Sequence, residues 1–191
     1  MKGAPIPTTP RVLLRSPTSA DREGFLAAMR SSRGLHRPWL LAPTTPAGFD
    51  RLLARVDDER FEPLLACRRA DGAIVGFFNI GEIVRGPLQS AYVGYGAAAE
   101  HAGRGYMTEG MALLLARAFN QLRLHRLEAN IQPANSASIA LVRRCGFVYE
   151  GFSERYLKVG GRWCDHERWA IRAEQWRARR DQSRGSAPSI S

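Results

Sequence analysis

Two glycines separated by one residue lie between a strand pattern and a strongly helical pattern, and this junction constrains the fold more than any other stretch. Before it, "LQSAYVGYGAA" is typical of a strand. After it, apolar residues recur at helical spacing, at Met107, Met111, Leu114, Leu115, Ala118, Phe119 and Leu122. A strand that leads through a glycine loop into an amphipathic helix predicts an α/β arrangement, with the helix packed on a sheet.

The loop itself, "EHAGRGYMTEG" from Glu100 to Gly110, has two interpretations. Glycines let backbone amides approach an anion, and the first turn of the next helix adds unpaired N–H groups and a positive dipole end. The loop lacks the third glycine of a dinucleotide-binding fingerprint and the Gly-Lys-Ser/Thr of a Walker loop. From these residues alone, a phosphate-binding loop and a structural turn are equally good interpretations.

The rest of the chain alternates short strands and helices. Asp71-Gly72 joins two strand-like runs and predicts a hairpin, and Gly160-Gly161 predicts another. Helices are predicted from about Ser19, over Pro46 to Arg60 and after Asn135. This order predicts one α/β (α+β) domain, in which about four helices flank a mixed, mainly antiparallel sheet of about seven strands.

The formal net charge is +10, because 28 lysines and arginines outnumber 18 acidic residues. A basic excess is a usual sign of a nucleic-acid partner. The densest cluster, Arg177, Arg179 and Arg180, is a candidate contact with ribosomal RNA, and the alternative is a solvated helix end. Arginines elsewhere are scattered among acidic residues, which favours the second interpretation.

Other features of the sequence limit the class of protein to which the chain can belong. No run of about 18 apolar residues and no secretory signal pattern is visible, so we expect a cytoplasmic protein without a membrane partner. The three cysteines lack metal or disulfide spacing, and we expect no metal site. The expected domain spans residues 11–176, between a flexible N-terminus (1–10) and a basic, disordered tail (177–191).

Several motifs occur together in one order: the Gly-x-Gly loop followed by "TEG", then "HRLEA", then Asn-x-x-Ser at Asn135 to Ser138, and "GGRWCDH" near the end. Upstream, "IVRGPLQSAYVGY" extends the pattern. This combination resembles the GNAT superfamily of acetyl-CoA-dependent N-acetyltransferases, and it looks most like the Rim-type ribosomal-protein-alanine N-acetyltransferase branch. The resemblance covers residues from Arg11 to Trp176. It implies transfer of an acetyl group from acetyl-CoA to a protein N-terminal α-amine, by direct attack in a ternary complex.

The resemblance also implies a cofactor site. Two central parallel strands, around Val93 to Gly96 and Leu127 to Ile131, are expected to splay apart and admit the pantetheine arm. Strand amides would then polarise the thioester carbonyl, and the glycine loop would bind the pyrophosphate. The implied cofactor contacts are Val93, Gly94, Tyr95, His101, Ala102, Gly103, Arg104, Gly105, Tyr106, Met107, Thr108, Asn135 and Ser138.

Two positions depart from the family pattern. Glu100 stands where Gln or Arg is usual before the first glycine, and Val142 stands where many members carry the Tyr that protonates the leaving thiolate. Ser138 is the expected proton donor in its place. The alternative is that Asn135 and Ser138 simply satisfy the amides of a helix start.

The sequence does not single out one residue as the general base that takes a proton from the acceptor amine. An α-amine with a pKa near 8 is about 10% neutral at pH 7, so it needs only weak help in losing a proton. Glu128 on the parting strand and Tyr156 on the hairpin are the favoured candidates for base or water-orienting work. Glu82 and Glu109 are further candidates, although Glu109 also fits a structural role in the first turn of its helix.

The resemblance places acceptor recognition around the loop between the first two predicted helices. The expected acceptor-binding residues are His36, Arg37, Trp39, Glu82 and Arg85. Trp39 is equally suited to anchor a core. Two other functions stay open: acetylation of a small amine such as an amino acid, polyamine or antibiotic, and a non-catalytic ribosome- or RNA-associated binding module. The sequence also leaves homodimerisation open.

Overall fold

Residues 10–185 are described by a computed structural model. The strands in this part of the chain are β1 (Val12–Arg15), β2 (Phe61–Arg68), β3 (Ile74–Val84), β4 (Ser90–Ala97), β5 (Arg126–Ile131), β6 (Val148–Val159) and β7 (Arg162–Arg172). The helices are α1 (Arg22–Ser31), α2 (Arg33–His36), α3 (Pro46–Leu53), α4 (Tyr106–Ala116), α5 (Ser136–Cys145) and α6 (Ala173–Gly185).

All seven strands form one sheet in the order β1-β2-β3-β4-β5-β7-β6. Neighbouring strands are antiparallel except β4 and β5, which are parallel. Parallel neighbours need a long crossover connection, and here the glycine loop and α4 provide it. The predicted mixed, mainly antiparallel sheet is confirmed, as is the hairpin at Asp71-Gly72, where Gly72 has a φ of +75°.

The parallel pair separates along its length. Backbone pairing joins Ser90–Tyr92 to Arg126–Glu128 and then stops, although β4 continues to Ala97 and β5 to Ile131. Beyond Tyr92 and Glu128 the two strands therefore enclose an opening. The predicted splay is confirmed, and it begins just after Glu128.

Each face of the sheet is covered by its own apolar cluster. One cluster contains β4 and β5 side chains such as Val93 and Leu127 together with Met111 and Leu114 of α4. The other contains Phe25 and Met29 of α1, Phe49 of α3 and Phe77 of β3. Burial of these side chains is the main stabilising contribution to the fold. We call the first side the α4/α5 face and the second the α1/α3 face.

Three sequence predictions need correction. The structure has six helices in the described range rather than about four, because α2 is one short turn and most of α6 falls in the predicted tail. The helix predicted to run from Pro46 to Arg60 ends at Leu53. Residues 177–185 of the predicted disordered tail are helical and continue α6. The remaining predicted flexible segments, 1–9 and 186–191, lie outside the described residues.

The first turns of α6 pack on the domain. The Trp176 side chain is buried, with its ring centre 5.5 Å from that of Phe119, and the Arg180 guanidinium lies 4.6 Å from the Trp176 ring. Cation–π contacts of this kind stabilise a helix end. The folded domain therefore extends past the predicted boundary at residue 176.

Between residues 10 and 185, no helix combines the length and apolar character that crossing a membrane requires. In the same part of the chain, no three His, Cys, Asp or Glu side chains are gathered as metal ligands would be. The three cysteines are free thiols, with Cys67 buried.

Candidate active site

The glycine loop adopts a conformation that only glycine allows readily. After a short 3₁₀ turn, Gly103 and Gly105 have φ values of +74° and +84°, and α4 begins at Tyr106. The left-handed region is costly for residues with a Cβ atom. An ideal Cβ placed on Gly103 would meet no atom within 4 Å, so this position faces open space.

The amides of the loop differ in whether they already have partners. Those of His101 and Ala102 donate to carbonyls of the preceding 3₁₀ turn, at 2.9 and 3.2 Å. For Gly103, Arg104 and Gly105, no amide hydrogen bond occurs within residues 10–185. Tyr106 and Met107 open α4, where amides lack intrahelical acceptors. The donors available to an anion therefore run from Gly103 to Met107, a narrower set than the predicted His101 to Thr108.

The loop is held by a residue that the sequence did not single out. Arg11, just before β1, donates through its backbone N and its Nε to the two Glu109 carboxylate oxygens, at 2.7 Å each. Its guanidinium also donates to the Arg104 carbonyl at 2.9 Å and lies 4.7 Å from the Tyr106 ring centre. Glu109 is buried, so this carboxylate has a structural role and is not a base candidate.

We expect Arg11→Ala to lower the free energy of unfolding by about 1–3 kcal/mol, because the buried Glu109 carboxylate loses charged donors. Urea unfolding measures the change. Arg22→Ala is the matched control: its ion pair with Asp50 is exposed on both sides and should be worth less than about 1 kcal/mol. Equal losses in the two variants would contradict a special role for Arg11.

A second cluster lies at the start of α5. Asn135 is the N-cap, and its Oδ1 accepts a hydrogen bond from the Ser138 amide at 3.2 Å. Ser138 Oγ lies 2.5 Å from the Tyr95 hydroxyl, which reaches it from β4. The Asn135 side chain thus serves the helix start, whereas the Ser138 hydroxyl points to the strand beside the opening.

Tyr95 supplies a phenol near the position where the family's usual Tyr is absent. Val142 on α5 is fully buried and carries no polar group. Burial raises the pKa of Tyr95, and the hydrogen bond with Ser138 offsets part of this. Tyr95 therefore stays protonated at neutral pH, and it can donate to Ser138 Oγ and leave the Ser138 proton for another acceptor.

The β4 backbone can present amides to the opening. The Ala98 amide donates to the Val75 carbonyl at 2.9 Å, toward β3. Amides alternate in direction along a strand, so those of Gly94 and Gly96 also point to β3 and those of Val93 and Tyr95 point toward β5. Of the three predicted strand contacts, Val93 and Tyr95 are the ones whose amides face the opening.

The predicted base candidates meet on the α1/α3 face, where the parallel pairing ends. Glu128 is opposite Tyr92, and the Tyr92 and Tyr156 hydroxyl oxygens lie 3.3 Å apart. The hydrogen bond with Tyr156, followed by burial, raises the pKa of Tyr92 to about 12. The Glu128 carboxylate accepts from Arg126 Nε at 2.7 Å. The sequence did not predict Tyr92 in this cluster.

His36 and Trp39 lie over the far end of the same face. His36 is buried, and its Nε2 lies 2.8 Å from the Ala97 carbonyl oxygen. The Trp39 carbonyl accepts from Gln132 Nε2 at 3.3 Å, so the loop after α2 spans from β4 to the segment after β5. Arg37 is exposed between them.

Glu82 and Arg85 lie apart from this group. Glu82 is in an exposed ion pair with Arg60, and Arg85 donates to the Leu122 carbonyl at 2.5 Å. Both are at or beyond the end of β3, next to the start of β4 rather than its open end. The structure therefore brings only part of the predicted acceptor set together. Strand parity could have placed Tyr92 on the same face as the other even-numbered β4 residues, but its pairing with Glu128 requires the register.

Comparisons with known proteins show the family and the fold of this chain. Residues 11–148 match the acetyltransferase (GNAT) domain family. The ribosomal protein uS5-alanine N-acetyltransferase of Escherichia coli (strain K12) is 33% identical over 103 residues, which are 54% of this chain and 53% of that protein. The chain spans about half the length of the curated relatives it matches.

Solved structures extend the similarity to nearly the whole chain. Mycobacterium smegmatis RimJ in complex with CoA-disulfide has a TM-score of 0.81 and 30% identity, and the match covers 91% of this chain and 89% of that one. Spermidine N-acetyltransferase from Vibrio cholerae in complex with CoA and spermine has a TM-score of 0.74 at 20% identity, with 87% and 98% covered, which shows the fold alone. The chain belongs to the GNAT acetyltransferase family.

Proposed function

We propose that this protein transfers the acetyl group of acetyl-CoA to the free α-amine of a protein or peptide, with a ribosomal-protein N-terminal alanine as the favoured acceptor. The observation that carries the proposal is the position of two helix starts. α4 and α5 begin just past the open ends of β4 and β5, and they bring the Gly103–Met107 amides and the Ser138 hydroxyl to one opening.

These groups suit the two ends of acetyl-CoA. Backbone amides at a helix start bind a pyrophosphate, and Arg104 adds positive charge beside them. The pantetheine arm then enters between β4 and β5, with its thioester carbonyl beside the Val93 and Tyr95 amides. RimJ of M. smegmatis, solved with CoA-disulfide, supports this assignment through its fold and 30% identity.

In the proposed reaction, the amine lone pair attacks the thioester carbonyl carbon and a C–N bond forms. The β4 amides stabilise the oxyanion that develops. When the tetrahedral intermediate collapses, the C–S bond breaks and the thiolate sulfur takes a proton from Ser138, which recovers one through Tyr95 or water. The amine loses one proton to water oriented by Glu128 and Tyr156, and the products are an N-acetylated amine and CoA thiol.

The second candidate function is acetylation of a polyamine, which the spermidine N-acetyltransferase neighbour supports through its fold. A polycation is best bound by several unpaired carboxylates. Here Glu128 and Glu150 both bind Arg126, and Glu82 binds Arg60. We therefore favour an acceptor with a single amine.

An acceptor panel tests this assignment. The purified protein is incubated with acetyl-CoA and, separately, with a peptide that begins with alanine, the same peptide with a blocked N-terminus, free alanine and spermidine. Mass spectrometry then locates the acetyl group. The proposal expects acetylation at the peptide α-amine and none on the blocked peptide, and preferential turnover of spermidine would favour the second candidate. A non-catalytic binding module would modify none of them.

A further inference from the structure

Two asparagines lie on the α1/α3 face in a row that crosses the opening. Asn79 on β3 is opposite Gly94 on β4, one same-face position beyond Tyr92. Across the opening, Asn130 is one same-face position beyond Glu128 on β5. Since side chains alternate along strands, Asn79, Gly94 and Asn130 all face the same side. In this row, β3 and β5 each carry a side-chain amide, and β4 between them carries no side chain.

Both asparagines have an oxygen with no partner. Asn79 Oδ1 and Asn130 Oδ1 are inaccessible to solvent and accept no hydrogen bond from any residue in the range 10–185. A buried carbonyl oxygen without a donor costs about 1–3 kcal/mol. Such groups are rare in native proteins, and a ligand that donates hydrogen bonds is one explanation for them.

The space between the two amides is open. An ideal Cβ on Gly94 would meet no atom within 4 Å. Neighbouring strands lie about 4.8 Å apart, so the Asn79 and Asn130 backbones are separated by about 10 Å or more across the opening. Along the strand direction, the Tyr92–Tyr156 pair lies on one side of this open space, and the loop of His36 and Trp39 lies on the other side.

We propose that Asn79 and Asn130 are acceptor-binding residues: when the amine substrate lies above Gly94, each side-chain amide turns its oxygen from the covered position toward the opening, where it receives a hydrogen bond from the N–H groups of the substrate. This inference rests on the proposed function, because it places the amine on one side of the β4–β5 opening and the thioester within it. The residues orient the nucleophile and do not themselves exchange protons with it.

The chemistry of the amide suits this task. An amide oxygen accepts N–H hydrogen bonds but carries no charge, whereas a carboxylate at the same place would favour the protonated amine and oppose attack. The nearby carboxylates of Glu128 and Glu150 are bound to Arg126. The row is therefore suited to the neutral form of a single amine, such as a peptide N-terminus, rather than to a polycation.

Steady-state kinetics with an alanine-initiated peptide test the proposal, using Asn79→Leu and Asn130→Leu. Each variant is expected to raise the KM for the peptide about tenfold, the equivalent of one lost hydrogen bond, with an unchanged Kd for acetyl-CoA. Asn120→Leu makes the same change at an exposed position outside the site and should leave both constants unchanged.

Two outcomes would overturn the inference, and they are distinguishable. If the wild-type protein acetylates the peptide and both leucine variants keep its KM, the asparagines do not bind the acceptor while the proposed function stands. If the wild-type protein acetylates no amine, the proposed function fails together with the inference.

Asn79→Asp keeps the size of the side chain, so it tests the proposal even if the leucine variants do not fold. Asn79 is flanked in register by Pro63 and Gly94, which carry no charge. A carboxylate here should move the acid limb of the kcat–pH profile upward by about one pH unit, because it stabilises the ammonium form of the bound amine. An unshifted limb would contradict the proposal. The other titratable or charged groups on this face are the same in both proteins: His36, Tyr92, Arg126, Glu128, Glu150, Tyr156, His166 and Arg168.

Discussion

Ser138→Ala is expected to lower kcat for acetyl transfer about 100-fold, the lower end of the range for loss of a positioned proton donor. The leaving thiolate would then have to take its proton from water. Acetyl-CoA should still bind, with its Kd raised less than about tenfold, because at most one hydrogen bond is lost. Stopped-flow measurement of thiol release, together with calorimetric titration of acetyl-CoA, separates the two effects.

Ser136→Ala is the matched control, since Ser136 lies on the same first turn of α5 but is exposed and outside the Tyr95 contact. It should retain wild-type kcat. Tyr95→Phe keeps Ser138 but removes its 2.5 Å partner, so we expect a smaller decrease in kcat than in Ser138→Ala. If Ser138→Ala turned over as fast as Ser136→Ala, the thiolate would be protonated by another group.

Gly103→Val is expected to weaken acetyl-CoA binding by at least about tenfold, because a branched side chain would occupy the space over the loop amides and strain a residue at φ +74°. Fluorescence or calorimetric titration measures the Kd. The thermal unfolding midpoint, measured in parallel, reports the strain separately from the binding defect.

Gly72→Val provides a control that is closely matched in backbone geometry. Gly72 has a φ of +75° and also meets no atom within 4 Å of an ideal Cβ, but it lies in the β2–β3 hairpin turn. Both variants should lose similar stability, and only Gly103→Val should lose acetyl-CoA affinity. Equal affinities in the two variants would show that the glycine loop does not bind the cofactor.

The sequence predicted the sheet because its signals are local. The Asp71-Gly72 turn fixes a hairpin, and the glycine loop followed by an amphipathic helix fixes the crossover between β4 and β5. The resemblance to acetyltransferases then implied that these two strands separate. Element ends were less well predicted: α3 ends at Leu53 because Ala54 and the following residues form turns rather than a continued helix.

The helix α6 shows where composition misleads. Its arginines and other polar side chains are typical of a solvated tail, and few of its residues are buried. Trp176 packs against Phe119, which is far away in sequence, so no local pattern indicates the contact. Tertiary packing therefore ordered a segment that composition assigned to disorder.

The predicted site residues also divide into those that a local motif indicates and those that depend on contacts between distant segments. Motif position alone predicted the Gly103–Gly105 loop and Ser138 as site residues. The partners Arg11 and Tyr95 depend on contacts between distant segments, 98 and 43 residues apart in the chain, which no single-sequence pattern records. The separation of Glu82 and Arg85 from Trp39 follows from their positions at opposite ends of the β3–β4 pair, a fact that requires the register.

The most direct test of acetyl transfer to an α-amine is the initial rate of CoA thiol release from acetyl-CoA in the presence of an alanine-initiated peptide. The same peptide with an acetylated N-terminus serves as the control. We expect thiol release that depends on the concentration of the free N-terminus and is nearly absent with the blocked peptide. Equal release with both peptides, or release with neither, would contradict the claim that this opening transfers an acetyl group to an α-amine.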